Sequence, residues 1–377
     1  MQAIIEAKEL QQAVKQAGKV AGGKSSRMPI LQTVRIDALP GELQLSATNL
    51  QTWGYSSPDC LTYKDEGPDS VIVSASILAK ITGKLPAGEV VLSTEAGTLT
   101  IGGAVIPTLT IEDYPDTPGA APSFTLGVFA GDVFKGLTKR LKAASSKTGN
   151  RPELAGVNVI YSEGRVKFAS TDGFRLLLEE FATDCNEEGA VLVNAAELAR
   201  IATLVKSSES VRLEIIHGDY ERLVVSFASA CYQLRGIPEE FPDFERVIPK
   251  ACAVEFTVNR KALLSAVRRG LIVAFRDSLA VTLATVGGSS VLQMSSGCRD
   301  LGSYSENVRL DDSPSADGEP VSFNGSLLED VLKFGKSQAV HVQLGGRLQA
   351  GRFSTDSDNV PGRLSQCWVV MPVNLDA

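Results

Sequence analysis

Gly18, Lys19, Val20, Ala21, Gly22, Gly23, Lys24 and Ser25 spell GxxxxGK[ST], the pattern in which loop amides cradle phosphates and a lysine, here Lys24, meets the terminal phosphate. That loop works when it follows a strand and opens a helix. Here it ends a helix-forming stretch and runs into Arg27, Met28 and Pro29, which block helix continuation. It reads as a glycine-rich, basic helix-to-strand loop, with a P-loop nucleotide-binding protein as an alternative. His217 and His341 fall in predicted strands with no cysteine or carboxylate at ligand spacing, so both read as packed or surface residues. Asp356 and Asp358 lie in a polar loop where nothing else supports a metal. Cys60, Cys185, Cys231, Cys252, Cys298 and Cys367 form no CxxC pair and are expected to stay reduced. No GxSxG elbow offers a serine nucleophile. The expectation is a non-enzyme with no cofactor and no metal.

The elements that would position any site are written three times. Ser74 to Leu92, Asn194 to Leu213 and Asn324 to Val342 share a polar start, an apolar helical face, a break and a strand. Leu78, Leu198 and Leu328 correspond, as do Ile81, Ile201 and Val331. A second helix repeats likewise: Leu10 and Val14, Val133 and Leu137, Leu263 and Val267. The period of roughly 125 residues is domain-sized. Each unit reads as strand, helix, several strands, helix, several strands, which is an α+β fold rich in antiparallel sheet. Predicted strands include Ala3 to Glu6, Ser123 to Leu126, Ala253 to Val258, Thr33 to Ile36, Glu42 to Ser46, Val90 to Ser93 and Leu99 to Ile101. Gly97 and Gly102 mark turns. Ser74, Asn194 and Asn324 are the expected N-caps of the second helix in each unit. EDYPD (Glu112 to Asp116) and EEFPD (Glu239 to Asp243) punctuate the joints, where proline is expected to end the closing strand. Domains are expected at 1–120, 121–250 and 251–377.

A length of 377 residues with 44% hydrophobic residues can bury several cores. No apolar run approaches the roughly 18 residues that span a bilayer, and the start lacks a signal pattern, so a soluble cytoplasmic protein is expected. Net charge is −7, but it is segregated. The stretches from Lys8 to Arg27, Ala130 to Pro152 and Asn259 to Arg276 hold sixteen of the 37 basic residues and two of the 44 acidic ones. That is a net of +14 in three equivalent places and −21 for the rest. One such run is usually a solvated helix face. Three at one repeat position point to a shared surface facing a polyanion.

MPIL (Met28 to Leu31), ATNL (Ala47 to Leu50), RPELAGV (Arg151 to Val157), STDGFRL (Ser170 to Leu176), EEFPDFERVIPK (Glu239 to Lys250) and VVMPVNL (Val369 to Leu375) resemble, in order along the whole chain, the bacterial DNA polymerase III beta subunit family of sliding clamps. The resemblance implies the DNA clamp fold: three similar domains, each with two helices lining a ring hole and antiparallel sheets outside. It further implies a ring-shaped homodimer around double-stranded DNA, bound without sequence specificity, that tethers the replicative DNA polymerase, a clamp loader and other proteins carrying clamp-binding motifs. Tethering acts by effective concentration, because a held polymerase rebinds before it diffuses away. Phosphate attraction ignores base identity, which suits sliding.

Carried onto this sequence, Lys24 and Arg27 are the foremost DNA contacts, followed by Asn150 and Arg151, then Lys84, Arg140, Lys147, Arg268 and Arg276. The family's partner-peptide pocket maps to Leu154, Thr171, Gly173, Arg175, Leu176, Pro242, Arg246, Val247, Leu327, Val369 and Met371, closed by Pro372. Arg175 and Arg246 are expected to meet the peptide's polar ends. Phe174 stands where the family commonly has histidine and makes the rim bulkier. Asp376 in the tail adds an acid near it. Ile106 is expected to meet Ile272 and Val273 of the other subunit, a head-to-tail contact that closes a two-fold ring when used twice. Besides the P-loop reading, a clamp-derived decoy for clamp-binding peptides is the rival, opposed by the survival of basic residues in all three units.

Overall fold

The computed structural model describes the chain except residues 1, 24–25, 40–41, 65–69, 96, 120, 149, 277, 288, 336, 356–359 and 376–377. The first third forms β1 (Gln2–Glu6), α1 (Ala7–Ala17), β2 (Thr33–Leu39), β3 (Glu42–Thr48), β4 (Thr52–Ser56), β5 (Cys60–Lys64), β6 (Ser70–Ser74), α2 (Ala75–Thr82), β7 (Glu89–Glu95), β8 (Thr98–Ile101) and β9 (Ala104–Pro107). The middle third forms β10 (Ser123–Ala130), α3 (Gly131–Ala144), β11 (Gly156–Ser162), β12 (Arg165–Thr171), β13 (Arg175–Ala182), β14 (Gly189–Asn194), α4 (Ala195–Ala202), β15 (Ser210–Ile216), β16 (Arg222–Phe227) and β17 (Ala230–Arg235). The last third forms β18 (Val254–Asn259), α5 (Arg260–Val273), β19 (Ala280–Thr285), β20 (Val291–Cys298), β21 (Gly302–Arg309), β22 (Val321–Asn324), α6 (Gly325–Phe334), β23 (Ala339–Leu344), β24 (Gly351–Thr355) and β25 (Arg363–Val370). Strand, helix, strands, helix, strands thus occurs three times, the α+β order expected from the repeat.

The helices form where the apolar spacing puts one stripe inward. Leu10, Leu137, Leu263, Leu78, Leu198 and Leu328 are all fully or almost fully buried. Each contributes about 2 kcal/mol of hydrophobic stabilisation. Asn324 caps α6, its Oδ1 accepting from the amides of Ser326 (3.0 Å) and Leu327 (3.3 Å). Ser74 does not cap α2; its hydroxyl is spent on the Ser76 hydroxyl at 3.2 Å. Gly97 and Gly102 do sit in left-handed turns, with φ of 76° and 53°. The strand expected over Ser123 to Leu126 runs on to Ala130, and His217 falls one residue beyond β15. The joint prolines do not end strands. β9 and β17 stop well before them; the first motif instead overlaps a short 3-10 turn at Ile111–Asp113, and the second runs directly into one at Phe244–Val247.

The chain packs as two compact units, Met1–Lys135 with Ala196–Gly236, and Gly136–Ala195 with Ile237–Ala377. The first holds a five-stranded sheet, β5-β1-β7-β8-β9, and an eight-stranded one, β10-β15-β16-β17-β4-β3-β2-β6. The second holds an eight-stranded sheet, β14-β11-β12-β13-β25-β24-β23-β18, and a four-stranded one, β21-β20-β19-β22. Each eight-stranded sheet is two four-stranded halves joined at one seam. In the first unit the seam is β17 against β4, from Ala230↔Ser56 to Leu234↔Thr52. In the second it is β13 against β25, from Arg175↔Val370 to Phe181↔Arg363. Side-chain alternation fixes the register, since a one-residue slip would turn every core residue outward.

Candidate peptide cleft and basic surface

A turn at the second seam builds a cleft. Between β12 and β13, the Thr171 hydroxyl donates to the Arg175 carbonyl (2.6 Å) and accepts from the Gly173 amide (3.1 Å). Asp172 Oδ1 accepts from the amides of Phe174 (3.0 Å) and Arg175 (3.1 Å). Gly173 holds φ of 91°, and an added Cβ there would meet no atom within 4 Å. Its requirement is therefore backbone conformation rather than space. This is the physical work done by the TDG of the STDGFRL motif. Leu176 and Val369 pair across the seam as an apolar floor, in a cluster with Ala169, Ala350 and Cys367. Phe241 and Phe244, packed on that cluster, meet edge to face with ring centroids 6.0 Å apart.

The resulting cleft of about 170 Å³ brings together nine of the residues read from the sequence: Leu154, Thr171, Gly173, Arg175, Leu176, Pro242, Val247, Val369 and Met371. Phe174, Arg246, Leu327 and Pro372 are not on its lining. Phe174 is 66% exposed, with its carbonyl accepting from the Met371 amide at 2.9 Å. The Arg246 guanidinium is 85% exposed and ion-paired with Asp243 at 2.7 Å. Leu327 is half-buried on α6, and Pro372 bridges back to Phe323. Arg151, Asp243 and Phe244 also line the cleft. Asp243 and Phe244 stood inside a quoted motif, directly after Pro242. Arg151, which the sequence offers as a DNA contact, thus lines the cleft as well.

Arg175 is not a free anchor for a peptide's polar end. It is buried, and Nε donates to Asp172 Oδ2 (3.2 Å), Nη1 to Asp330 Oδ2 (2.8 Å) and Nη2 to the Ala143 carbonyl (2.5 Å). The last bond puts a cation on an orphan carbonyl at the C-terminus of α3, where the helix dipole favours one.

Among the residues read as DNA contacts, Arg27, Lys84, Lys147, Asn150 and Arg276 are exposed, while Lys24 lies outside the described residues, as do Asp356, Asp358 and Asp376. Arg151 is exposed and hydrogen-bonded to Glu153 at 2.8 Å, which holds the Glu153 carboxyl below its usual range. Arg268 is half exposed but ion-paired with Glu329 at 2.9 Å. Arg140 is corrected outright. It is 5% exposed, and its Nη2 donates to Glu179 Oε2 at 2.8 Å. Glu179 also lies 3.6 Å from Arg363 Nη1 and accepts from Gln366 Nε2 at 3.0 Å. A charge buried this way must be paired, so Arg140 serves the second seam and is too enclosed to meet phosphate. Arg260 is likewise buried, donating to the carbonyls of Ser337 and Leu332. Arg269 is bound by Glu306 and the Tyr304 hydroxyl, which raises its own pKa and lowers that of Glu306.

For the subunit contact, Ile106 is also corrected. It is 2% exposed and pairs with Leu99 facing the core, whereas Val105 beside it is 64% exposed. Ile272 is 74% exposed and Val273 only partly so. Gly18 ends α1, its amide donating to Val14, so the phosphate-loop pattern follows a helix as expected. All six cysteines are free thiols. Among the described residues, no helix is long and apolar enough to cross a membrane and no group of three His, Cys, Asp or Glu side chains could hold a metal.

Three family models match in order: the DNA polymerase III beta subunit N-terminal domain over residues 1–118, its central domain over 129–243 and its C-terminal domain over 245–359. A beta sliding clamp of Synechocystis is 26% identical, covering 92% of this chain and 93% of its own. The sliding clamp of Pseudomonas aeruginosa solved with griselimycin shares the fold with a TM-score of 0.86 at 20% identity, each chain covered in full. The Bacillus subtilis sliding clamp does so at 0.86 and 21%, with 99% of each chain covered. With all three domain models in sequence over one continuous repeat, the chain belongs to the DNA polymerase III beta subunit family of DNA sliding clamps, processivity factors that are not enzymes.

Proposed function

We propose that two copies of this chain, each divided near residues 120 and 250, join head to tail into a cytoplasmic ring that encircles duplex DNA. In this reading the segregated charge carries the argument. The exposed cations Lys8, Lys15, Lys139, Lys142, Lys147, Lys261 and Arg276 recur at the same repeat position in an otherwise acidic chain. A surface of that kind holds phosphate at any sequence, and the acidic remainder repels DNA elsewhere. Arg27, Lys84 and Asn150 join these as DNA contacts, with Arg268 weakened by Glu329. Val105 on β9 takes the place of Ile106 opposite Ile272 and Val273. The apolar cleft beneath Gly173 receives short peptides of the replicative polymerase, the clamp loader and other partners. The exposed side chains of Arg151 and Arg246 sit at or beside its mouth for their polar ends.

Sizing together with retention on DNA tests this. The expected result is a particle of twice the chain mass that stays on nicked circular DNA after loading and leaves when the circle is cut. Retention on the linear form, or a monomer at micromolar concentration, would overturn the topological reading.

A further inference from the structure

We infer that Phe334, with Lys139 and Lys333, forms a stacking site for an unpaired base of single-stranded DNA. The inference rests on the polyanion-facing reading of the basic segments and goes beyond it. Phe334 is the last residue of α6 and is only partly buried. The ammonium of Lys139, from α3, stands 5.8 Å from its ring centroid, and that of Lys333 stands 6.0 Å away. Both distances are at the outer limit of a cation–π contact, so either ammonium swings off the ring at little cost. Neither lysine is ion-paired with a carboxylate among the described residues, whereas Arg268 and Arg269 on α5 are held by Glu329 and Glu306.

A duplex keeps its bases stacked inside and offers an aromatic ring nothing. Single strands expose a π-face on every base, and a protein surface that binds them pairs aromatic rings with cations for the flanking phosphates. Phe334 supplies the ring, and the ammonium groups of Lys139 and Lys333 beside it supply charge for the flanking phosphates. The chemistry therefore matches a strand with unstacked bases, as at the end of a primer.

Fluorescence anisotropy at equilibrium and low salt, with labelled oligo-thymidine and with a short labelled duplex whose open ends let a ring thread on and off without being retained, tests the site on the full chain, with sizing and thermal melting as checks of folding. Phe334→Ala and Phe334→Leu are expected to weaken single-strand binding about tenfold while leaving duplex binding unchanged, and Phe334→Trp to retain both. Lys139→Ala with Lys333→Ala is expected to weaken both forms and to flatten their salt dependence. Wild-type affinity for the single strand in Phe334→Leu, or equal loss on both forms in Phe334→Ala, would overturn the stacking site. Failure of the wild-type protein to bind the duplex would instead overturn the polyanion-facing reading beneath it.

Discussion

Two turns 123 residues apart, Thr48–Thr52 and Thr171–Arg175, make the same four hydrogen bonds. In the first, the Thr48 hydroxyl donates to the Thr52 carbonyl and accepts from Leu50, and Asn49 Oδ1 accepts from Gln51 and Thr52. Leu50 takes a left-handed φ of 71° where Gly173 takes 91° in the second. What fills the two seams differs. In the first, Ser56 donates to the Gln16 side chain (2.8 Å) and the Tyr232 hydroxyl to the Gln16 carbonyl (2.9 Å). Tyr232 also lies against Gly54, where any Cβ would come within 3.0 Å of its ring. In the second, Glu179 stands 123 residues beyond Ser56 and gathers Arg140, Arg363 and Gln366. A duplicated backbone thus keeps its turn while its seam is refilled, once with neutral groups and a tyrosine, once with buried charge beside an open cleft.

The largest contrast is expected from removing the acceptor at each seam. Glu179→Ala strands two buried guanidinium groups and should cost about 3–5 kcal/mol in urea unfolding. Ser56→Ala at the matching place should cost about 1 kcal/mol. Equal losses would show that the charged seam is not the more committed one.

Alkali should act on the first seam. Burial pushes the Tyr114 phenol from 10.0 up to about 12, and burial likewise raises Tyr55 and Tyr232. The neutral phenols contribute stability in full below about pH 10, and it is lost as pH climbs through their raised values. Tyr232→Phe should cost about 1 kcal/mol at neutral pH and flatten the alkaline decline. An unchanged alkaline profile in that variant would remove Tyr232 from the account.

The smallest effects are expected at the turns. Gly173→Ala should destabilise by about 1 kcal/mol through φ alone, while Leu50→Gly should be neutral or slightly stabilising in thermal unfolding. A matching loss in both would mean that Leu50 is held by packing and not merely tolerated.

Much of this was legible in the sequence. The triplicated apolar stripe located the six α-helices of the described residues, because each stripe must face a core. The TDG and FPDF motifs located the cleft. Arg140 was misread because a run of cations on a helix does not say which one turns inward; its partner Glu179 is 39 residues away and Arg363 farther still. Ile106 was misread because alternation in a four-residue strand leaves its phase open, and only the pairing with Leu99 settles it. The seams themselves join strands such as Leu177 and Trp368, which carry no local signal for one another.

β9 and β21 each pair on one side only among the described residues. The two internal seams run over five and seven paired residues, and in both the chain itself ties the halves together. β9 offers four residues and ends at Pro107, which has no amide proton to give. A contact between copies made along that edge would be a short fastener with no tether behind it. In the ring proposed above, such a joint would be suited to be unhooked and rejoined without unfolding either copy.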